Sequence, residues 1–376
     1  MLLKNLCSFS KGIQIKRDLT SIDYVIPYLH YGDLYKKYNV KLNLNEIHSE
    51  IIKVDNSFYN SKYQINNNDI VMNLTSENYD DLGKCIIVKN SENKPFLAGM
   101  ETHLIKIHSS SIIPEYLNYY FESDSFLKCI QQFITGMKVF RVKPTDILNI
   151  DISLPNLQYQ QHIVDIIGSL DDKIENNNKI IEKMNNLLNV KTNELLLYKT
   201  KKFQLNDIIE ECKEKAEIEL VPYSVINTGK VIIQNEQFNK EISKNIKGKY
   251  KKIKKDYFVY NPSRINIGSI GIMEDEIGCV SPIYVVFKCI EEYKIYLQQL
   301  LTFDSMIKEI NKRCSGSVRQ ALSFNDLCSI EIYDIEKEKL KIYNKYCDSI
   351  IRITKKLEQE NKLLENQKKL YLAKFF

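Results

Sequence analysis

The chain has no tryptophan and only 12 glycines in 376 residues, and no apolar run approaches the ~18 residues that crossing a membrane requires. Met1 to Arg17 lacks the continuous apolar stretch of a signal peptide. A cytoplasmic protein with no membrane partner is therefore expected. Nine cysteines, an odd number without a Cys-x-x-Cys pair, fit free thiols in a reducing compartment better than a disulfide frame or a zinc site. The histidines, His30, His48, His103, His108 and His162, show no metal-ligand spacing. Surface positions are expected for them, and no metal site.

Catalytic signatures are also missing. A phosphate-cradling loop needs Gly-x-x-x-x-Gly-Lys-Ser/Thr, and Ile246 to Tyr250 lacks the first glycine. Asn261-Pro262-Ser263-Arg264 supplies half of the Asn/Asp-Pro-Pro-aromatic loop with which an adenine methyltransferase grips its base, and no Gly-rich strand-to-helix turn accompanies it. The acids Glu210 and Glu211 beside Lys213 could imitate nuclease ligands, but on a helix such a group is a solvated face. A binding module is expected, with no catalytic residue.

What is present is periodicity. Ile163, Ile167, Leu170, Ile174, Asn177, Ile181, Met184, Leu188, Lys191 and Leu195 recur in steps of four and three, a heptad series interrupted only by Asn177 and Lys191. Tyr343, Tyr346, Ile350, Ile353, Leu357, Glu360, Leu364, Gln367 and Tyr371 repeat it near the C-terminus. Each predicts a helix of about 33 residues, ~50 Å long. Packing the two antiparallel would bury both seams and relate the halves by a pseudo-two-fold axis. The polar seam residues Asn177, Lys191, Glu360 and Gln367 would then penalise other registers, or else face solvent. Homodimerisation through either helix is the competing arrangement.

Between the helices the chain alternates with mixed α/β segments. The first carries strand signals at Tyr24 to Tyr28, Tyr63 to Asn73 and Cys85 to Val88. Amphipathic helices follow over Pro114 to Thr135, then a turn at Gly136 to Arg141 and a closing strand over Ile147 to Leu154. The second segment repeats the order, and its end aligns without a gap at an offset of 180 residues: Gly136 with Gly316, Val142 with Leu322, Asp146 with Asp326, Ile150 with Ile330. This points to an internal duplication. The expected organisation is an α/β (α+β) domain over 1–153, a long helix over 154–202, a second such domain over 203–334 and a second helix over 335–376.

The lead-in Leu154-Pro-Asn-Leu-Gln-Tyr-Gln-Gln-His-Ile163, followed by Ser169-Leu-Asp-Asp-Lys-Ile174, resembles the Leu-Pro-Pro-Leu-x-Glu-Gln-x-x-Ile lead-in and Leu-Asp-x-Lys-Ile helix of the specificity (S) subunits of type I restriction-modification systems. Tyr260 to Gly271 and Val280 to Val286 are similar to their target-recognition domains. Asn156 and Tyr159 replace the usual Pro and Glu, and the second lead-in, Ile332 to Glu338, has lost its Leu-Pro. The resemblance implies a non-catalytic subunit of a phage-defence complex. Each domain would read one half of a bipartite, asymmetric site on double-stranded DNA, the helices setting the gap. Two methylation subunits would dock on the stem, and restriction subunits join them for cleavage. The chain itself would bind no cofactor, with S-adenosylmethionine, ATP and Mg on those partners.

DNA contact needs cations for phosphates and planar donors for base edges. The candidates are Lys138 and Arg141 after Gly136; Arg319 after Gly316; Lys249, Lys251 and Lys252 in a run of seven lysines between Lys244 and Lys255; and Tyr260, Asn261, Arg264 and Asn266. Arg264 could read guanine and Asn266 adenine, although Asn266 could equally serve a left-handed turn. The lysine run could equally be a solvated loop. Half-site centres near one helical turn, ~34 to 36 Å, are expected. The alternative function is a coiled-coil scaffold presenting two protein-binding domains without touching DNA. A self-contained modifying enzyme is disfavoured by the missing cofactor loop.

Overall fold

A computed structural model describes residues 1–36, 41–44, 51–234, 247–314 and 321–376. The chain forms two compact units, 1–177 with 358–376, and 178–357. Each unit therefore takes one part of each long helix.

In the first unit, a five-stranded sheet runs in the neighbour order Cys7–Lys11, Thr102–Ile107, Ile70–Asn73, Cys85–Lys89, Lys41–Asn43. Cys85–Lys89 is a continuous apolar run because it is covered on both faces. A second sheet orders Thr20–Ser21, Lys53–Val54, Ile26–Leu29 and Leu97–Ala98, the last two parallel. Helix Pro114–Glu122 starts on its proline, whose missing N–H costs nothing at a helix start. Ser123 caps Asp124–Gln131 by accepting the Phe126 N–H.

The second unit repeats the plan. Ile209–Glu211, Val285–Cys289, Phe258–Tyr260 and Ile270–Ile272 are neighbours in the order of the first four strands of the first sheet, and Pro222–Val225 again pairs parallel with Ile277–Val280. Helices Glu291–Leu300 and Asp304–Arg313 follow. Where a closing strand is expected over Ile147 to Leu154, the first unit has the short helix Pro144–Leu148; its equivalent 180 residues on, Phe324–Cys328, is followed in the second unit by the strand Glu331–Ile335, paired antiparallel with Lys199–Gln204. In the first unit only an isolated bridge, Leu2 with Asp151, follows it. The apolar spacing there serves burial under the sheet and not strand alternation, since Ile147, Ile150 and Ile152 are all buried.

The long helices are Leu157–Leu195 and Lys337–Phe375, each 39 residues and also offset by 180. In the first unit Ile163 and Ile167 share a core with Leu372, Asp171 meets Lys368 at 2.9 Å, and Asn177 donates to Asn361 at 2.9 Å. The partners come in reverse order, so the helices run antiparallel there. In the second unit Thr192 meets Tyr343 at 2.7 Å and Lys191 sits over the Tyr346 ring. Ile163, Ile167, Ile174, Leu188, Leu195, Ile350 and Leu364 are buried; Leu170, Ile181, Leu357 and Tyr371 are partly so.

The C-terminal seam differs from the expected one at alternate positions. Its inward residues are Tyr343, Cys347, Ile350, Thr354, Leu357, Asn361, Leu364, Lys368 and Leu372, while Tyr346 and Ile353 are 42% and 43% exposed and Gln367 faces solvent. On the central helix Thr192 is buried and Lys191 is not. At alternate steps the inward residue stands one position C-terminal to the expected one: Cys347 for Tyr346, Thr354 for Ile353, Asn361 for Glu360 and Lys368 for Gln367.

The first unit depends on the chain's last residues. Tyr371, Leu372, Phe375 and Phe376 join its core, with Phe376 against the rings of Tyr116 and Tyr120. Beside them lies a buried ionic joint. Lys368 Nζ lies 2.8 Å from Glu122 and 2.9 Å from Asp171. Asn118 Nδ2 donates to Glu122 at 2.8 Å, and the Tyr119 hydroxyl donates to Asp171 at 2.9 Å. Burial pushes the Glu122 carboxyl up to about 7; Lys368 opposes the shift and Asp171 adds to it.

Two outcomes follow. Leu372→Ala should destabilise the first unit by about 2–5 kcal/mol while hydrogen exchange in the strands of 203–334 stays unchanged. Because folding raises the Glu122 pKa, its protonation contributes stability that is full below pH 4.5 and lost as pH rises through about 7. The first unit's melting temperature should fall across that window, and Glu122→Gln should flatten the fall.

Candidate nucleic-acid interface

In the second unit, strand Phe258–Tyr260 delivers the chain into a loop that closes on itself. Asn261 N–H donates to the Ser269 carbonyl at 3.1 Å, and the Arg264 carbonyl accepts from Ile267 and Ser269 at 3.1 and 3.2 Å. Asn261 Oδ1 accepts the Ser263 N–H at 3.1 Å, the local turn that short amide side chains favour. Gly268 holds φ +89°, and a Cβ there would fall 2.5 Å from the Asn227 carbonyl oxygen. The left-handed residue of this loop is therefore Gly268, and Asn266 is free of that duty. The frame leaves Ser263 and Arg264 exposed, with Ile267 at 58% exposure. Asn266 is half-buried beside them.

Two candidates behave otherwise than expected. Tyr260 is completely buried and donates its hydroxyl to the Leu322 carbonyl at 3.2 Å, so it supports the loop from below and offers DNA nothing. Asn261 spends its side-chain oxygen on the turn.

The middle of the lysine run forms a strand, Lys251–Lys254, and three of the seven lysines meet carboxylates. Lys252 and Lys254 reach Glu214 at 2.5 and 3.2 Å, and Lys255 reaches Glu276 at 2.5 Å. Their hydrogen bonds hold the Glu214 carboxyl below its ordinary range. Lys251 Nζ donates to the Tyr284 carbonyl at 2.7 Å, and burial lowers its pKa. Lys249 stands exposed in the preceding turn. Lys244 and Arg319, with Gly316, lie outside the described residues, as does His48. Glu210 and Glu211 sit on a strand and not on a helix.

In the first unit Gly136 has φ +105°, and a Cβ would lie 2.1 Å from the Val139 carbonyl oxygen, so the turn requires glycine. Thr135 and Arg141 exchange backbone hydrogen bonds of 2.9 Å across it. Lys138 and Arg141 are exposed, Lys138 beside the 91%-exposed Met137. Phe140–Arg141 pairs with Thr75–Ser76, which sets these cations beside the acidic stretch Glu77, Asp80 and Asp81. Sequence reasoning missed that stretch; the signal was its position directly after strand Ile70–Asn73, matching the Arg264 loop after Phe258–Tyr260. The two loops share a clasp. Val142 N–H donates to Leu74 O, and Leu322 N–H to Pro262 O, each at 3.1 Å.

His103 is buried instead of at the surface, and burial lowers its pKa to about 4, so it is neutral. Among the described residues no group of acids, histidines and cysteines could hold a metal ion, and no helix is long and apolar enough to cross a membrane.

Residues 1–186 match the family model described as the type I restriction modification DNA specificity domain. Over 100% of this chain and 95% of the other, the fold is similar to the crystal structure of a type I restriction-modification system S subunit from M. genitalium, with a TM-score of 0.59 and 14% identity. A structure titled for complex assembly and conformational transition of the type I R-M system gives 0.42 at 12% identity, covering 100% of this chain and 96% of that one. The HsdS subunit from Thermoanaerobacter tengcongensis gives 0.34 at 14%, covering 100% and 95%. No curated protein matches the sequence.

Tyr260→Phe should cost about 1 kcal/mol of second-unit stability through its lost hydrogen bond and leave affinity for duplex DNA unchanged. Arg264→Ala should weaken that affinity without moving the melting temperature, as titrations of both variants would read.

Proposed function

Because the chain belongs, by its residues 1–186, to the type I restriction modification DNA specificity domain family, we propose that it is the subunit that chooses the DNA site for a methylation and restriction complex, with each unit reading one half of a bipartite, asymmetric sequence. The observation that carries this reading is the recurrence of one frame under two different tips. Equivalent strands, short helices and the 3.1 Å clasp hold an acidic loop in one unit and an arginine-bearing loop in the other. Repetition of frame with divergence of tips is what two readers of unlike half-sites require. We infer an internal duplication from the same recurrence.

In this reading the long helices pair as one antiparallel coiled coil with pseudo-two-fold symmetry, set the gap between half-sites and dock two methylation subunits. The chain carries no catalysis and no cofactor. S-adenosylmethionine, ATP and Mg belong to the methylation and restriction partners. Arg264, Asn266, Lys249, Lys138 and Arg141 are the proposed DNA-facing residues; Lys251 and Lys252, being already engaged, contribute less. Acidic side chains of the first unit's loop could accept from cytosine amino groups, as arginine can donate to guanine.

The scaffold reading has one observation in its favour, the pairing of Lys252, Lys254 and Lys255 with Glu214 and Glu276. Methylation mapping of the host genome with and without the gene decides between them. Loss of modified adenines from one bipartite motif on deletion is expected, with methylation subunits co-purifying. An unchanged methylome without a co-purifying methyltransferase would leave the scaffold.

A further inference from the structure

The ionic joint of the first unit brings three elements to one point. Glu122 ends a helix of the globular part, Asp171 lies on the central helix, and Lys368 lies on the C-terminal helix. The lysine is 10% exposed and its two acids 17% and 16%. It occupies a seam position between Leu364 and Leu372, both buried. A leucine there would pack at least as well, because desolvating a lysine and two carboxylates consumes much of what their attraction returns. What the charged joint adds is discrimination against other pairings.

We propose that Lys368, clamped by Glu122 and Asp171, is the positioning residue that holds the C-terminal helix to the first unit in one register, and so fixes the spacer length that the protein accepts between half-sites. This rests on the reading that the helices set that gap. Sliding the C-terminal helix by one heptad moves it ~10 Å, about three base-pair steps of duplex. In one direction Lys368 takes the place of Asn361 beside Asn177; in the other it meets Val164 and Asn361 takes its place. Unzipping of the last turns is the other failure. Each separates the ammonium from both carboxylates, leaving buried charge unmatched, the costly state for an ion cluster. The Asn177–Asn361 pair at 2.9 Å adds a second polar match that fails in the same slips, the way one buried asparagine selects register.

The test uses the full chain with its methylation subunits, read by binding to duplexes whose half-sites are separated by graded spacers. Wild type should favour one spacer. Lys368→Met should spread binding over spacers about three base pairs either side. The neutral triple variant K368M/E122Q/D171N keeps the Tyr119 and residue-118 hydrogen bonds; it should melt no lower than Lys368→Met alone yet show the same spread. A triple variant that keeps the single-spacer preference overturns the proposal.

Hydrogen exchange of the DNA-free chain decides independently. Residues 358–376 should exchange at least ~100-fold faster in Lys368→Met, and unchanged protection also overturns it. If wild type itself prefers no bipartite site, the functional reading fails, while the exchange result still judges the joint.

Discussion

The structure depends on a seam that is also a core. Ile163 and Ile167 of the central helix are buried with the helices and sheet of the first unit, and Leu188 and Leu195 with those of the second. On the C-terminal helix, Tyr343 and Ile350 serve the second unit and Leu372 the first. Neither globular part buries its apolar face with its own segment of chain alone. A helix that must satisfy both a partner helix and a sheet presents more than one apolar stripe. That explains why Ile163 and Ile167 are fully buried while Ile181 and Met184 are only partly so.

Polar residues enter that seam at defined points, and several of them find partners there. Asn177 meets Asn361, Thr192 meets Tyr343, and Lys368 meets two carboxylates. Gln160, fully buried at the start of the central helix, donates to the carbonyls of Ser111 and Pro155 and accepts the Ile113 N–H. It thereby ties the helix start to the helix Pro114–Glu122. Buried polar groups without partners are costly, and with partners they specify one arrangement. Stability comes from the leucines and isoleucines, and uniqueness from these few matches.

Much of this was legible in the sequence, for a physical reason. Heptads and a gapless offset of 180 are properties of chain spacing, and both long helices and both short closing helices obey that offset. What was not legible depended on partners distant in sequence. Lys252 and Lys255 read as free cations because Glu214 and Glu276 lie some distance along the chain and come close only through strand pairing. Tyr260 read as a surface donor because its spacing cannot say which face of the strand is covered. The C-terminal seam was misplaced by one residue at alternate positions because an apolar count prefers Tyr346 and Ile353 over Cys347 and Thr354. Lys368 could not be read inward at all until Glu122 and Asp171 were seen beside it.

The pairing of the lysine run changes what DNA recognition would rest on. A protein that binds mainly through free lysines gains affinity for every sequence alike and pays it back as salt rises. Here the formal charge is only +5, and three of the seven lysines in the densest cluster are spent on two acids, Glu214 and Glu276. On the proposed reading, three of the DNA-facing cations, Lys138, Arg141 and Arg264, sit on turns fixed by Gly136 and Gly268, whose backbone angles other residues rarely adopt. Weak general attraction and rigidly held tips favour discrimination over affinity. Two such tips, each too weak alone, would bind well only where both half-sites are offered at the correct distance.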